Sequence, residues 1–149
     1  MRVLVTRPAA QAQAWAERLR AHGLQAEVLQ LIDIGPTDDP APVVQAWQTV
    51  PSRRLVFFVS PNAVAQFFAL RPAQAGSSWP PGVIAGSPGP GTTHALRDAG
   101  VPAAALAEPA ADAAQFDSES LWQRLRERDW SGAQVLIVRC ESGRDWLEI

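Results

Sequence analysis

The chain has 149 residues, 47% hydrophobic and 19% charged, with a formal net charge of −2. That length holds one good core, or one domain and part of a second. The charge balance gives no footprint for nucleic acid, and no apolar run approaches the ~20 residues of a membrane span.

All 13 basic residues are arginine, and tyrosine is absent. Without lysine, a Schiff-base enzyme, a Walker-type phosphate site and a receiver domain are excluded. One cysteine, Cys140, leaves no internal disulfide, and with only His22 and His94 beside it no zinc site is expected. Cys140 follows the apolar "VLIV" and reads as a buried structural thiol. The opening "MRVLVTRPAA" has too short an apolar run for a secretory signal, so a cytoplasmic enzyme or binding domain is expected.

In chain order, strand and helix patterns alternate. "RVLVT" is a β-branched run, followed by a helix over Pro8 to Ala21 with Ala12, Trp15, Ala16 and Leu19 on one apolar face, closed by Gly23. "AEVLQLIDI" reads as a strand, "GPTDDPAP" as a break in which Asp38 and Asp39 form a turn, and Val43 to Val50 as a helix that buries Trp47. "RLVFFVS" is the clearest strand, and the helix after it presents Val64, Phe67 and Phe68. "RPAQAGSSWPPG" is a loop, "VIAG" a short strand, and "SPGPG" leads into a helix over Thr92 to Ala99. "VPAAALAEPAADAAQ" is a weak strand running into irregular chain. Asp117 then caps a helix whose Phe116 can staple onto Leu121. "AQVLIVR" is the last strand, "CESG" a turn, and "RDWLEI" the start of another helix. Such alternation predicts a parallel α/β sheet with right-handed crossovers.

Four strand-to-helix turns share a design: "VTRPAA", "VSPNAV", "GSPGPGTTHAL" and "VRCESGRDWL". Pro8 and Pro61 occupy the first helical position, which needs no N–H, and Ser60 is the expected N-cap. In a parallel sheet these turns gather at the carboxyl edge, where ligands bind. Helix N-termini there present unpaired N–H groups and partial positive charge, to which Arg7, Arg139 and Arg144 add full charges. This is a surface for carboxylates. "GPGTTH" fails the dinucleotide fingerprint because His94 holds the third glycine position, and "VSPNA" lacks the glycines of a nucleophile elbow.

The ordered series "VLVTRP", "LIDIGP", "FVSPNAV", Gly89 to Thr92, "FDSESL" and "VLIVRCESGRDWL" resembles the uroporphyrinogen-III synthase family over nearly the whole chain. The resemblance implies two flavodoxin-like α/β domains, the second inserted into the first, with residues 1–34 beginning domain one and 35–149 forming domain two, incomplete at its C-terminal end. It implies a lyase of haem biosynthesis that cyclises the linear tetrapyrrole hydroxymethylbilane, inverting the last pyrrole ring and losing water. No cofactor and no metal is implied, and the parent fold is a monomer in the cytoplasm that binds neither nucleic acid nor membrane. The substrate carries many carboxylates, and the residues implied to hold it are Arg7, Ser60, Asn62, Gly89, Thr92, Arg139, Gly143 and Arg144. The family's later tyrosine has no counterpart here, and "GSPGPGT" carries an extra Pro-rich element. The alternative is a flavodoxin-like module that binds a ligand without catalysis, or an inactive fragment of the synthase.

Overall fold

A computed structural model describes residues 1–31 and 33–139. The expectations for Cys140, Gly143, Arg144 and the final helix lie outside the described residues. The chain divides into two compact units, Met1–Thr37 and Asp38–Ile149.

The first unit holds β1 (Arg2–Val5), α1 (Ala9–Ala21) and β2 (Gln25–Val28), with the two strands parallel. Its core is small: Val5, Ala12, Ala16 and Ala26 are buried, with Leu19 packed against them. Trp15 shares their helical spacing but is 46% exposed. Two strands of four residues give α1 too narrow a floor to cover a tryptophan as well. Pro8 stands one residue before the helix, as its N-cap. Gly23, at φ 77°, closes the helix as expected. The strand expected over "AEVLQLIDI" forms only over Gln25–Val28, because β1 offers no pairing partner beyond Val5.

The second unit contains α2 (Ala41–Thr49), β3 (Leu55–Phe58), α3 (Pro61–Ala69), β4 (Ile84–Gly86), α4 (Pro90–Asp98), β5 (Leu106–Ala107), α5 (Ser118–Leu125) and β6 (Val135–Val138). Asp39 serves the start of α2, its side chain accepting from the Ala41 N–H at 2.9 Å. The four strands are parallel in the order β5-β4-β3-β6.

Strand β3 is buried at all four positions because both faces of the sheet are covered. Val56 and Phe58 point into a core with Trp47 of α2, Val64 and Phe67 of α3, and Leu96 of α4. Leu55 and Phe57 point the other way, against Leu121 and Leu125 of α5. The two-residue period of a strand produces that division. Full burial of a side chain such as Phe58 contributes about 1.5–3 kcal/mol. Trp47 stacks on Phe67 at 4.4 Å between ring centroids, and its indole N–H donates to the Phe67 carbonyl at 2.8 Å.

Gly86 in β4 lets α5 approach. A Cβ there would stand 3.0 Å from Leu55, 3.2 Å from Phe57 and 3.3 Å from Leu121. Helices α3 and α4 therefore cover one face and α5 the other, and the chain reverses direction across the sheet between β5 and β6. That reversal opens a switch point between neighbouring β3 and β6, the place where ligands bind in doubly wound sheets. Among the described residues, no helix is long and apolar enough to cross a membrane.

Candidate functional site

Because the strands of the second unit are parallel, the ends of β3, β4, β5 and β6 deliver Ser60, Ser87, Glu108 and Arg139 to one edge of the sheet. The β3–β6 ladder extends past Phe58, where the Val59 N–H donates to the Val138 carbonyl at 3.2 Å. Half-buried Arg139, the residue after Val138, thus stands beside the β3–α3 turn.

Ser60 caps α3. Its backbone is extended, its Oγ accepts from the Ala63 N–H at 3.2 Å, and Pro61 takes the first helical position. Accepting that bond leaves the hydroxyl hydrogen free to donate elsewhere. Asn62 follows at the second helical position, half-buried.

Helix α4 starts two residues earlier than its sequence pattern suggests, at Pro90, with Gly89 as its N-cap. Gly89 supplies no side-chain cap, and neither α3 nor α4 has an acid in its first turn. Neither helix thus supplies a carboxylate to its own positive end from its first turn. A Cβ on Gly89 would stand 3.1 Å from the Phe116 Cβ, so a side chain there would make Phe116 give way by a few tenths of an ångström. Phe116 lies against Gly89 and is 52% exposed, while Leu121 is buried beneath the sheet. The starts of α3 and α4 are neighbours: a Cβ on Gly91 would come within 3.7 Å of Pro61. Ser60, Asn62, Gly89 and Thr92 are in this way brought together at two adjacent helix N-termini.

Thr92 is 4% exposed and Thr93 1% exposed. Both amides donate to the Gly89 carbonyl at 3.1 Å. Sequence reasoning missed the polar chain beneath them. Ser87 Oγ and Thr93 Oγ1 are 2.5 Å apart, and Thr93 Oγ1 donates to Glu108 Oε2 at 2.6 Å. The opposite Glu108 oxygen is 3.6 Å from the Arg97 guanidinium. His94 is on the solvent side, paired with Asp98 at 3.3 Å. Among the described residues, no group of histidine, cysteine and acidic side chains could hold a metal ion.

In the first unit, Arg7 follows β1 at the start of α1 and is exposed. Its guanidinium lies over the Trp15 ring, 5.1 Å from the centroid, and donates to Gln11 Oε1 at 3.4 Å. The first turn of α1 again has neither a side-chain cap nor an acid.

The opposite edge of the larger sheet is polar too. A cavity of about 510 Å³ there is lined by Arg53, Arg54, Asp129 and Gln134 among others. Arg53 is spent on Gln134 at 2.9 Å and on Thr49, so that cavity is a cross-link between the approaches to β3 and β6. A second cavity, of about 310 Å³, runs beside β5 and includes Glu108, Arg124 and Arg128 in its lining.

Comparison with known proteins agrees with the α/β fold. The chain is similar to a solved uroporphyrinogen III synthase from the extremely thermophilic bacterium Thermus thermophilus. The identity is 16% and the TM-score 0.52, over 99% of this chain and 55% of that one. The chain therefore spans about half the length of the solved protein it matches. No curated protein sequence matches significantly. The family model for uroporphyrinogen-III synthase HemD matches residues 13–148, a stretch that includes Ser60, Asn62, Gly89, Thr92 and Arg139 but not Arg7. The chain belongs to the uroporphyrinogen-III synthase family.

Proposed function

We propose that the carboxyl edge of the larger sheet grips the acidic side chains of hydroxymethylbilane, and that the protein acts as a uroporphyrinogen-III synthase, closing that linear tetrapyrrole with inversion of its last ring and loss of water. The observation that carries this reading is the pair of adjacent helix starts at Pro61 and Pro90, neither with an acid in its first turn. The positive ends of two helix dipoles, together with hydroxyl donors, suit carboxylates. Ser60, Asn62, Gly89 and Thr92 are the proposed contacts, with Arg139 adding a full charge beside them. Arg7 offers the same chemistry on the first unit, and Gly143 and Arg144 are carried by the family resemblance.

The reaction suits such a surface. Departure of hydroxide from the bilane leaves a cationic azafulvene, which the substrate's own electron-rich pyrroles stabilise. The task left to the protein is to fold a flexible molecule and hold its two ends together, and such positioning is worth up to several kcal/mol. No residue is assigned as a proton donor.

The test is incubation of the purified protein with freshly made hydroxymethylbilane, followed by oxidation and separation of the uroporphyrin isomers. Formation of the inverted type III isomer above a protein-free control supports the reading. A type I product alone removes the synthase assignment. A thermal shift with flavin mononucleotide but none with a polycarboxylated tetrapyrrole would favour a non-catalytic binding module.

A further inference from the structure

We infer that Thr93, held between Ser87 and Glu108, is a positioning residue that fixes the first turn of α4 so that the Gly89–Thr92 segment is presented in one geometry to an anionic ligand. The inference rests on the functional reading above and adds to it residues that touch no substrate.

Proton accounting gives the chain a direction. Thr93 has one hydroxyl hydrogen, and the carboxylate of Glu108, at 2.6 Å, is its strongest acceptor. Ser87 must then donate to Thr93 Oγ1. The remaining contacts of the two hydroxyls, both to the Gly89 carbonyl, are longer, at 3.3 and 3.5 Å. The order Ser87 to Thr93 to Glu108 therefore runs one way.

These three residues belong to three successive pieces of the edge: the end of β4, the first turn of α4 and the end of β5. The Ser87 amide also donates to the Ala107 carbonyl at 2.9 Å, so the two strand ends are already locked together. Thr93 is the point at which α4 is fastened to that lock. Ser87 and Thr93 are each 1% exposed, out of reach of a ligand. Glu108 has a side chain 41% exposed and is tethered on its far side by Arg97 at 3.6 Å. A carboxylate at an anion-gripping edge would repel the ligand unless it were engaged. Here both its oxygens face donors, so the charge is spent on the scaffold. Thr92 lies between Gly89 and Thr93, and its orientation follows from theirs.

The experiment compares Thr93→Val, which keeps the shape and removes the hydroxyl, with Thr93→Ser, which keeps the hydroxyl. Binding of uroporphyrin III, a stable polycarboxylated probe, is measured by fluorescence quenching, together with thermal unfolding and amide hydrogen exchange. Thr93→Val is expected to weaken binding about tenfold, to speed exchange of the amides of residues 92 and 93, and to leave exchange in β3 unchanged. Thr93→Ser should restore both binding and exchange. A Thr93→Val protein that melts earlier yet binds the probe as wild type does, with unchanged exchange at residue 92, overturns the inference and makes the network purely structural. If the unsubstituted protein does not bind the probe, the functional reading fails. The exchange pattern still decides whether Thr93 fixes the turn: local acceleration rescued by serine upholds that, and its absence refutes it.

Discussion

Gly91, in the first turn of α4, lies against Pro61, the first residue of α3, close enough that an added Cβ would stand 3.7 Å from the proline ring. That is ordinary van der Waals contact, so Gly91→Ala is accommodated, and alanine is the better helix former by up to ~1 kcal/mol. The added methyl nevertheless occupies space between the two helix starts. Gly91→Ala is expected to keep or slightly raise the unfolding temperature while weakening polycarboxylate binding about 2- to 10-fold, or ~0.5–1.5 kcal/mol. Parallel calorimetry and binding titrations check the divergence.

Ser60 both caps α3 and keeps a hydrogen to donate. Ser60→Ala removes both, and should lower stability by about 1 kcal/mol. Ser60→Asp keeps the cap but places a negative charge at the edge. Its stability should match wild type while its affinity for a polycarboxylate falls below that of Ser60→Ala. Chemical denaturation and titration of the two variants separate cap from contact.

Gly86 is sterically confined by Leu55, Phe57 and Leu121. Gly86→Val forces those side chains aside and is expected to cost about 1–3 kcal/mol through overpacking, read as a lower urea midpoint. Leu121→Ala combined with Gly86→Val should cost less than the sum of the two single substitutions, because the valine fills part of the space that the alanine opens.

Arg71 fastens the loop after α3. Its guanidinium lies 4.8 Å from the Trp47 ring centroid and donates to the carbonyls of Ser77 at 3.2 Å and Ala75 at 3.4 Å. Among the described residues its buried Nε has no hydrogen-bond partner. Arg71→Lys keeps the charge but loses the planar fork and the stacking. It is expected to release the loop nearly as much as Arg71→Ala does, measured as faster proteolytic cleavage near Ser77.

Asp129 has its carboxyl held below the ordinary aspartate value by hydrogen bonds from the Ser131 backbone and side chain, with the Arg54 charge adding to them. A depressed folded-state value contributes stability that is present above the unfolded value and lost as pH falls through the folded one. Asp129→Asn should therefore lower stability slightly at neutral pH, converge with wild type in acid, and so flatten the fall in stability below about pH 4.

Much of this architecture is legible in the sequence, for reasons particular residues make plain. "LVFF" reads as a strand covered on both sides because all four residues are apolar, and the layers of Trp47 and Leu121 bear that out. Ser60 and Asp117 are legible as caps because capping is a local interaction. Strand β2 reads too long, since an apolar run does not reveal how far its partner extends. Trp15 reads as core because spacing records a helix face and not the width of what lies beneath it. The Ser87–Thr93–Glu108 chain is invisible in the sequence. Its members are 6 and 15 positions apart, and only the pairing of β4 with β5 brings them together.

The most direct test of the central claim is to map a bound polycarboxylated tetrapyrrole by amide chemical shifts in the isotopically labelled protein. Perturbations should cluster at Ser60, Asn62, Ala63 and Gly89 to Thr93 and fade as salt is raised. Shifts confined to the opposite edge, around Arg54 and Gln134, or none at all at saturating ligand, would contradict it.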